Sequence, residues 1–395
     1  MQNLDEQISL DHLLYFCIKS AAIMTTMKVA QLVEPGKPLT TSTIEKPIPG
    51  PKDVLVKVEA ACLVPNSANI VKKGPGLHYT LPKMPCVFGL DAAGIIEAVG
   101  KNVVGLKVGD RVYVDPHITC GNCKQCRKGR RELCTSGCLR AYFGTLTPGG
   151  QKILKQYPIG SLSQYLLSPD ANIAVIPPSI DINTAARFGY IGTSFAGLKK
   201  CGMGPGKTLL INGVTGTLGY AAVAIGLGLG CTKILGIGRN KERLAEVEGM
   251  ATKGRVVVRS TEDDGDILEW IKEQTNGFGT DGLYDCLGNG GDANGTSKLI
   301  SSVKRGGRVA LAAGGVPGDI THSYGEVMTH DVSVNGTLWF TSEEIDEAIE
   351  LIGAGVIDFS FLQHKFFSLD EVNDAFKTVG DRPGGAINII VQPHA

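Results

Sequence analysis

"TLLINGVTGTLGYAAVAIGLGLG", residues 208–230, is an apolar run, a glycine turn and an Ala-rich stretch of helical length. Gly213, Gly216 and Gly219 stand three apart within it. In such a turn the first glycine lets the chain leave a strand sharply. The second lets the backbone approach a pyrophosphate, and the third packs helix against sheet while helix N–H groups face the anion. A glycine triplet alone also serves plain turn packing. Its place after a strand and before a helix makes it a dinucleotide fingerprint, with Thr215, Thr217 and Leu218 as further expected contacts.

Downstream, "KILGIGRNKERL" discriminates the nucleotide. Gly238 stands where a carboxylate would bind an unphosphorylated ribose, and Arg239, Asn240 and Lys241 follow. A small residue leaves room for a 2′-phosphate and the cations neutralise it, which favours NADP(H) over NAD(H). A solvated, cationic helix start is the plainer alternative. "GLYDCLG", ending near Leu287 (a further expected cofactor contact), and "GRVALAAG" are later apolar runs separated by helical lengths. They fit buried parallel strands with right-handed crossovers.

Upstream the rhythm differs. "DVLVKVEAACLV", "AAGIIEAVG" and "DRVYVDP" are β-branched, turn-bounded segments at close intervals, as in a partly closed β-barrel. After residue 335, "SEEIDEAIELIGAG" reads as a helix capped by Ser342, and "GAINIIVQP" as a closing strand. The chain has 395 residues, long enough for two domains, since single cores rarely grow past roughly 250–300 residues. Lys plus Arg and Asp plus Glu number 39 each, so no net field exists to hold nucleic acid or an acidic membrane. No apolar run reaches the roughly 18 residues of a membrane span. Residues 1–26 have an acidic start and a short apolar core broken by Lys19, which makes a poor signal peptide and suggests an extension outside the fold. A cytoplasmic protein acting on a small molecule is expected.

"CGNCKQCRKGRRELC" places Cys120, Cys123, Cys126 and Cys134 as C-x2-C-x2-C-x7-C. Four thiolates so spaced can wrap one Zn²⁺ tetrahedrally and leave no position for water, so the metal is structural. An iron–sulfur run would have a shorter last gap and a following proline, whereas Thr135 follows here.

The barrel half with "GLKVGDRVYVDP", the cysteine lobe and the nucleotide domain together resemble the zinc-type alcohol dehydrogenases of the medium-chain dehydrogenase/reductase superfamily. The resemblance runs from Met27 to the C-terminus. It implies an α/β chain with a GroES-like catalytic domain over 27–191 and 336–395, carrying a zinc lobe at 116–140. It also implies a Rossmann domain over 192–335, a cleft between the two, and a homodimer or homotetramer.

Most of that family also has a catalytic zinc, and the resemblance puts its ligands at Val64, Leu90 and Tyr190 here. Val64 and Leu90 supply no donor and Tyr190 only a phenol, so the catalytic zinc is expected to be absent. Asp91 takes the place of the family's glutamate beside the second ligand, and Leu90 is left to line the substrate space. Asn66 stands where the family has a hydroxyl relay, and Ser194 aligns with the hydroxyl that contacts the nicotinamide. Trp339 and Phe340 are candidate cleft residues, and the loop 142–165 is expected to shape the pocket.

Without a Lewis acid, simple alcohol oxidation is disfavoured. An enone can take hydride at its β carbon, and an iminium already carries the charge that zinc would induce. "GVTGTLG" is similar to the turn of the zinc-free quinone and enone reductases of the same superfamily. The expected function is therefore NADPH-dependent reduction of an activated C=C or C=N bond, with Asn66, Tyr190 and Asp91 as catalytic candidates. Two rivals stay open. One is an alcohol dehydrogenase using Tyr190 as acid or a metal site rebuilt from Cys62, Asp91 or His117; the other is a non-enzymatic NADPH-binding protein.

Overall fold

Six strands form one parallel sheet in the order Val256–Ser260, Lys233–Gly238, Thr208–Asn212, Thr280–Asp285, Val303–Leu311, Ser333–Gly336. Numbered along the chain this is 3-2-1-4-5-6, the doubly wound Rossmann order. The central strands are Leu-, Ile- and Val-rich because both faces are covered; Leu209, Leu210, Ile211, Ile234 and Leu235 are all fully buried. The computed structural model describes residues 25–74, 79–252, 254–288, 290–312 and 316–395. The expected N-terminal extension, residues 1–26, falls almost wholly outside them, and the first strand begins at Thr26.

The rest of the chain is antiparallel apart from one parallel pair. Strand Asp53–Leu63 is the axis of a seven-stranded sheet, flanked by Asp91–Val99, Tyr165–Pro169 and the last strand, Ile387–Gln392. This pairing brings the two ends of the chain's barrel-forming sequence together, and the register sets Cys62 opposite Asp91. Smaller sheets, one of three strands and one of four, close the barrel and carry the cysteine lobe.

Helix Phe188–Lys200 leads from the barrel into the parallel sheet, so it crosses the boundary expected at 191/192. Ten of its thirteen residues are buried, among them Phe188 and Phe195. Each such aromatic contributes about 1.5–3 kcal/mol of burial free energy. Gly192 allows Phe340 to lie on this helix, since a Cβ there would meet the Phe340 ring at 2.5 Å. Helix Ser342–Gly353 starts one residue earlier than the sequence suggests. Its cap is Thr341, whose hydroxyl accepts from the Glu344 amide while the Glu344 carboxylate accepts from the Thr341 amide. Ser342 is the first helical residue, and its hydroxyl accepts instead from Arg131 of the cysteine lobe, 3.0 Å away.

Candidate active site

The glycine turn has the predicted form. Gly213 ends its strand with φ +88°, a conformation that favours glycine, and its N–H and that of Val214 both donate to the Ile237 carbonyl. Gly216 caps helix Thr217–Gly228, whose first N–H groups are thereby open to a cleft of about 550 Å³. At Gly219 a Cβ would fall 2.4 Å from the Val214 carbonyl oxygen, so the helix packs onto its own turn only because the side chain is missing. Thr215, Thr217, Leu218, Gly238, Arg239 and Leu287 line the same cleft. At Gly238 a Cβ would already crowd the Thr215 methyl at 3.1 Å, which leaves this strand end bare beside Arg239.

Arg239, Asn240 and Lys241 line a shallow depression together with Glu242 and Glu262. The three are not equivalent. Asn240 caps helix Lys241–Glu248 through its side chain, 2.9 Å from the Arg243 amide. Lys241 pairs with Asp263 at 2.8 Å. Arg239 is exposed, and its backbone carbonyl is held by the Ser260 hydroxyl at 3.0 Å.

At the barrel end, the cleft is lined by Cys62, Pro65, Asn66, Tyr190, Arg187 and Asn388. Asn66 is the second residue of helix Pro65–Lys73, which starts at proline after Val64. Burial is the main force pushing the Tyr190 hydroxyl up from its ordinary range; Asp91 and Cys62 add to it, while Arg187 and the Asn66 amide oppose it. Burial likewise pushes the Cys62 thiol up to about 12, and its Sγ lies 2.9 Å from the Asn388 side-chain oxygen.

Several expected residues sit elsewhere. Leu90 and Asp91 are buried outside the cleft lining. One Asp91 oxygen accepts from Tyr113 at 2.8 Å, and the carboxylate fills the space a side chain at Gly189 would need. Burial raises its pKa to about 7, against the Tyr113 hydrogen bond, with Asp115 adding to the rise. The Ser194 hydroxyl is also internal: it donates to the Leu218 carbonyl at 3.0 Å and accepts from Tyr284 at 3.2 Å. Trp339 donates to Asp115 at 2.9 Å and stacks on Phe340, so both rings belong to the packing around the lobe and not to the cleft wall. The loop 142–165 forms strand Phe143–Thr145 and helix Pro148–Gln156, and it too contributes nothing to the lining.

The four sulfurs of Cys120, Cys123, Cys126 and Cys134 lie within 4.8 Å of one another. Two of the separations are 3.6 and 4.0 Å, close to the ~3.8 Å that four thiolates at zinc-bond distance from one ion would show. The donor set and spacing fit a closed Zn²⁺ site. Among the described residues it is the only cluster of three or more His, Cys, Asp or Glu whose ligand atoms converge. Cys62, Asp91 and His117 form no such cluster; a Cβ at Gly137, beside the lobe, would meet the His117 ring.

Residues 50–178 match the alcohol dehydrogenase GroES-like domain, and residues 217–354 match the zinc-binding dehydrogenase family. L-threonine 3-dehydrogenase of Burkholderia mallei is 31% identical over 291 residues, covering 74% of this chain and 77% of that protein. The chain belongs to the zinc-type alcohol dehydrogenase family of the medium-chain dehydrogenase/reductase superfamily.

Sorbitol dehydrogenase of Bacillus subtilis is 26% identical to this family member over 342 residues, 87% of this chain and 90% of the other. Among solved structures, alcohol dehydrogenase TADH from Thermus sp. ATN1 aligns with a TM-score of 0.78 at 23% identity, over 92% of this chain and all of that one. A cobalt- and zinc-bound thermostable alcohol dehydrogenase from Pyrobaculum aerophilum gives 0.72 at 24% identity, over 93% and 100%. These two speak for the fold. As a zinc-type alcohol dehydrogenase family member the chain is a nicotinamide-dependent oxidoreductase.

Sequence reasoning missed Arg187 and the segment 382–385. The Gly385 amide donates to the Thr215 carbonyl at 3.1 Å, and a Cβ at Gly385 would strike the Gly216 carbonyl. The signal in the sequence was "RPGG", two glycines with no local turn to explain both.

Proposed function

We propose that this family member is an NADPH-dependent reductase of an activated C=C or C=N bond that works without a catalytic zinc. The observation that carries the reading is the donor set of the cleft. Val64 and Leu90 are buried hydrocarbons, and the cleft's ordinary zinc donors are each engaged apart from one another. Cys62 faces Asn388, Cys286 donates to the Asn212 carbonyl at 3.2 Å, and Asp292 caps helix Ala293–Ile300.

Bound in the cleft, the reduced nicotinamide supplies a hydride. The chain's own groups do the rest. The open N–H groups of the helix after Gly216 hold the pyrophosphate, and Arg239 beside bare Gly238 supports a 2′-phosphate. Asn66 and Tyr190 offer hydrogen bonds to the atom that gathers charge. Asp91 is a supporting acid behind them.

Two measurements test this. Metal analysis should find one zinc per chain; two would overturn the reading. Label from NADPH carrying deuterium at the transferring carbon should appear in a reduced enone or iminium. The relatives named for sorbitol, threonine and alcohol favour a second reading, alcohol–carbonyl interconversion with Tyr190 as acid. The upward push on the Tyr190 hydroxyl makes it a poorer proton donor and weighs against that reading.

A further inference from the structure

Arg187 is 2% exposed yet lines the barrel end of the cleft beside Cys62, Tyr190 and Asn66. One terminal nitrogen, Nη2, is anchored on the Gly385 and Thr217 carbonyls. The other, Nη1, is buried with no hydrogen-bond partner. No carboxylate pairs with this guanidinium among the described residues, and the one carboxylate in the cleft lining, Asp292, is engaged as a helix cap. A guanidinium stays charged even when burial works against it, so the barrel end of the cleft holds an uncompensated cation.

We infer that Arg187 is the fixed positive charge of the reaction centre, selecting a substrate whose reacting oxygen becomes negative, an α,β-unsaturated carbonyl compound, over an iminium. The inference rests on the reductase reading for its reaction and narrows the two substrate types to one. In the enone, the β carbon accepts the hydride and forms a C–H bond. The C=C pair then shifts toward the carbonyl, whose own pair moves onto oxygen as an enolate. A solvent proton closes the α carbon, leaving the carbonyl intact and the nicotinamide oxidised. The oxygen passes from neutral to negative, which a buried cation favours. An iminium is positive when it enters and must be bound against the same guanidinium.

The charge can be read without turnover. 4-Nitrophenol is an enolate mimic whose ionised form has its own visible band. Titrated into the protein with NADP⁺ present, the bound probe should ionise roughly tenfold or more readily than in solution. Arg187→Lys should keep most of that gain and Arg187→Met should lose it. A probe that fails to bind, or ionises no more readily than in solution, overturns the inference, as does equal ionisation in wild type and Arg187→Met.

In turnover, wild type should reduce 2-cyclohexenone with kcat/KM at least about a hundredfold above that for a cyclic iminium of similar size. Arg187→Met should lower the enone rate and improve the iminium KM, whereas a merely structural role would weaken both alike. If Arg187→Met does not fold, wild type and Arg187→Lys still decide through the probe and the substrate pair. A positive probe result with neither compound reduced removes the reductase reading and leaves the charge assignment standing.

Discussion

The phosphate role proposed for Arg239 rests on position, because neither neighbour is free for it: Asn240 is a cap and Lys241 an ion-pair partner. Arg239→Ala should raise the KM for NADPH roughly tenfold to a hundredfold, the worth of a charge-assisted hydrogen bond, and leave that for NADH nearly unchanged. Equal losses would remove the phosphate assignment. Asp91 makes a different prediction. Its folded-state pKa of about 7 lies above the ordinary 3.8, so the native chain holds a proton that the unfolded chain releases. The stability this contributes is full below about pH 4 and is lost as pH rises through 7, up to about 4 kcal/mol. Relative to Asp91→Asn, wild type should therefore lose stability across that window in urea titrations; parallel pH curves would refute it. Taking the difference removes His117, whose pKa burial lowers to about 4 and which works in the opposite direction. At this scale the sequence showed residue types and not the direction in which each side chain points. Ser194 and Trp339 are polar-capable residues beside the cleft in sequence, but their hydrogen bonds go to Leu218 and Asp115, inside the core.

Elements were more legible, because strand burial and helix start signals are local. The glycine turn, the parallel strands and the cysteine lobe all follow from spacing, each over fewer than thirty residues. Ser342 was misread because Thr341 and Glu344 form a capping box one residue earlier, and a box outweighs a lone serine. Two outcomes belong here. Gly219→Ala should destabilise the fold by about 1–3 kcal/mol through overpacking against the Val214 carbonyl, with a matching loss of cofactor binding seen by fluorescence titration. Cys126→Ser should remove the zinc, read by metal analysis, and lower the melting temperature. The loss should spread past the lobe, because Arg131 ties it to Ala171, Asn172 and the start of helix Ser342–Gly353. A melting temperature unchanged after zinc loss would contradict this.

Across the whole molecule, the barrel end of the site gathers positions 62, 66, 187, 190 and 388, which no local pattern links. The pairing of strand Ile387–Gln392 with Asp53–Leu63 sets 388 beside 62, and the Arg187 hydrogen bond to Gly385 ties the start of helix Phe188–Lys200 to the same tail; sequence separation hides such contacts from a local reading. The same closure ties segment 382–385 to the glycine turn, through the Gly385 amide on Thr215 and Arg187 on the carbonyls of Gly385 and Thr217. The nucleotide half therefore has one wall built from the far tail of the polypeptide. Anyone grafting this cofactor module onto another barrel, to change coenzyme choice by recombination, must transplant the tail glycines and Arg187 with it. A chimera cut neatly at 192 and 335 would inherit the fingerprint and leave its cradle half open.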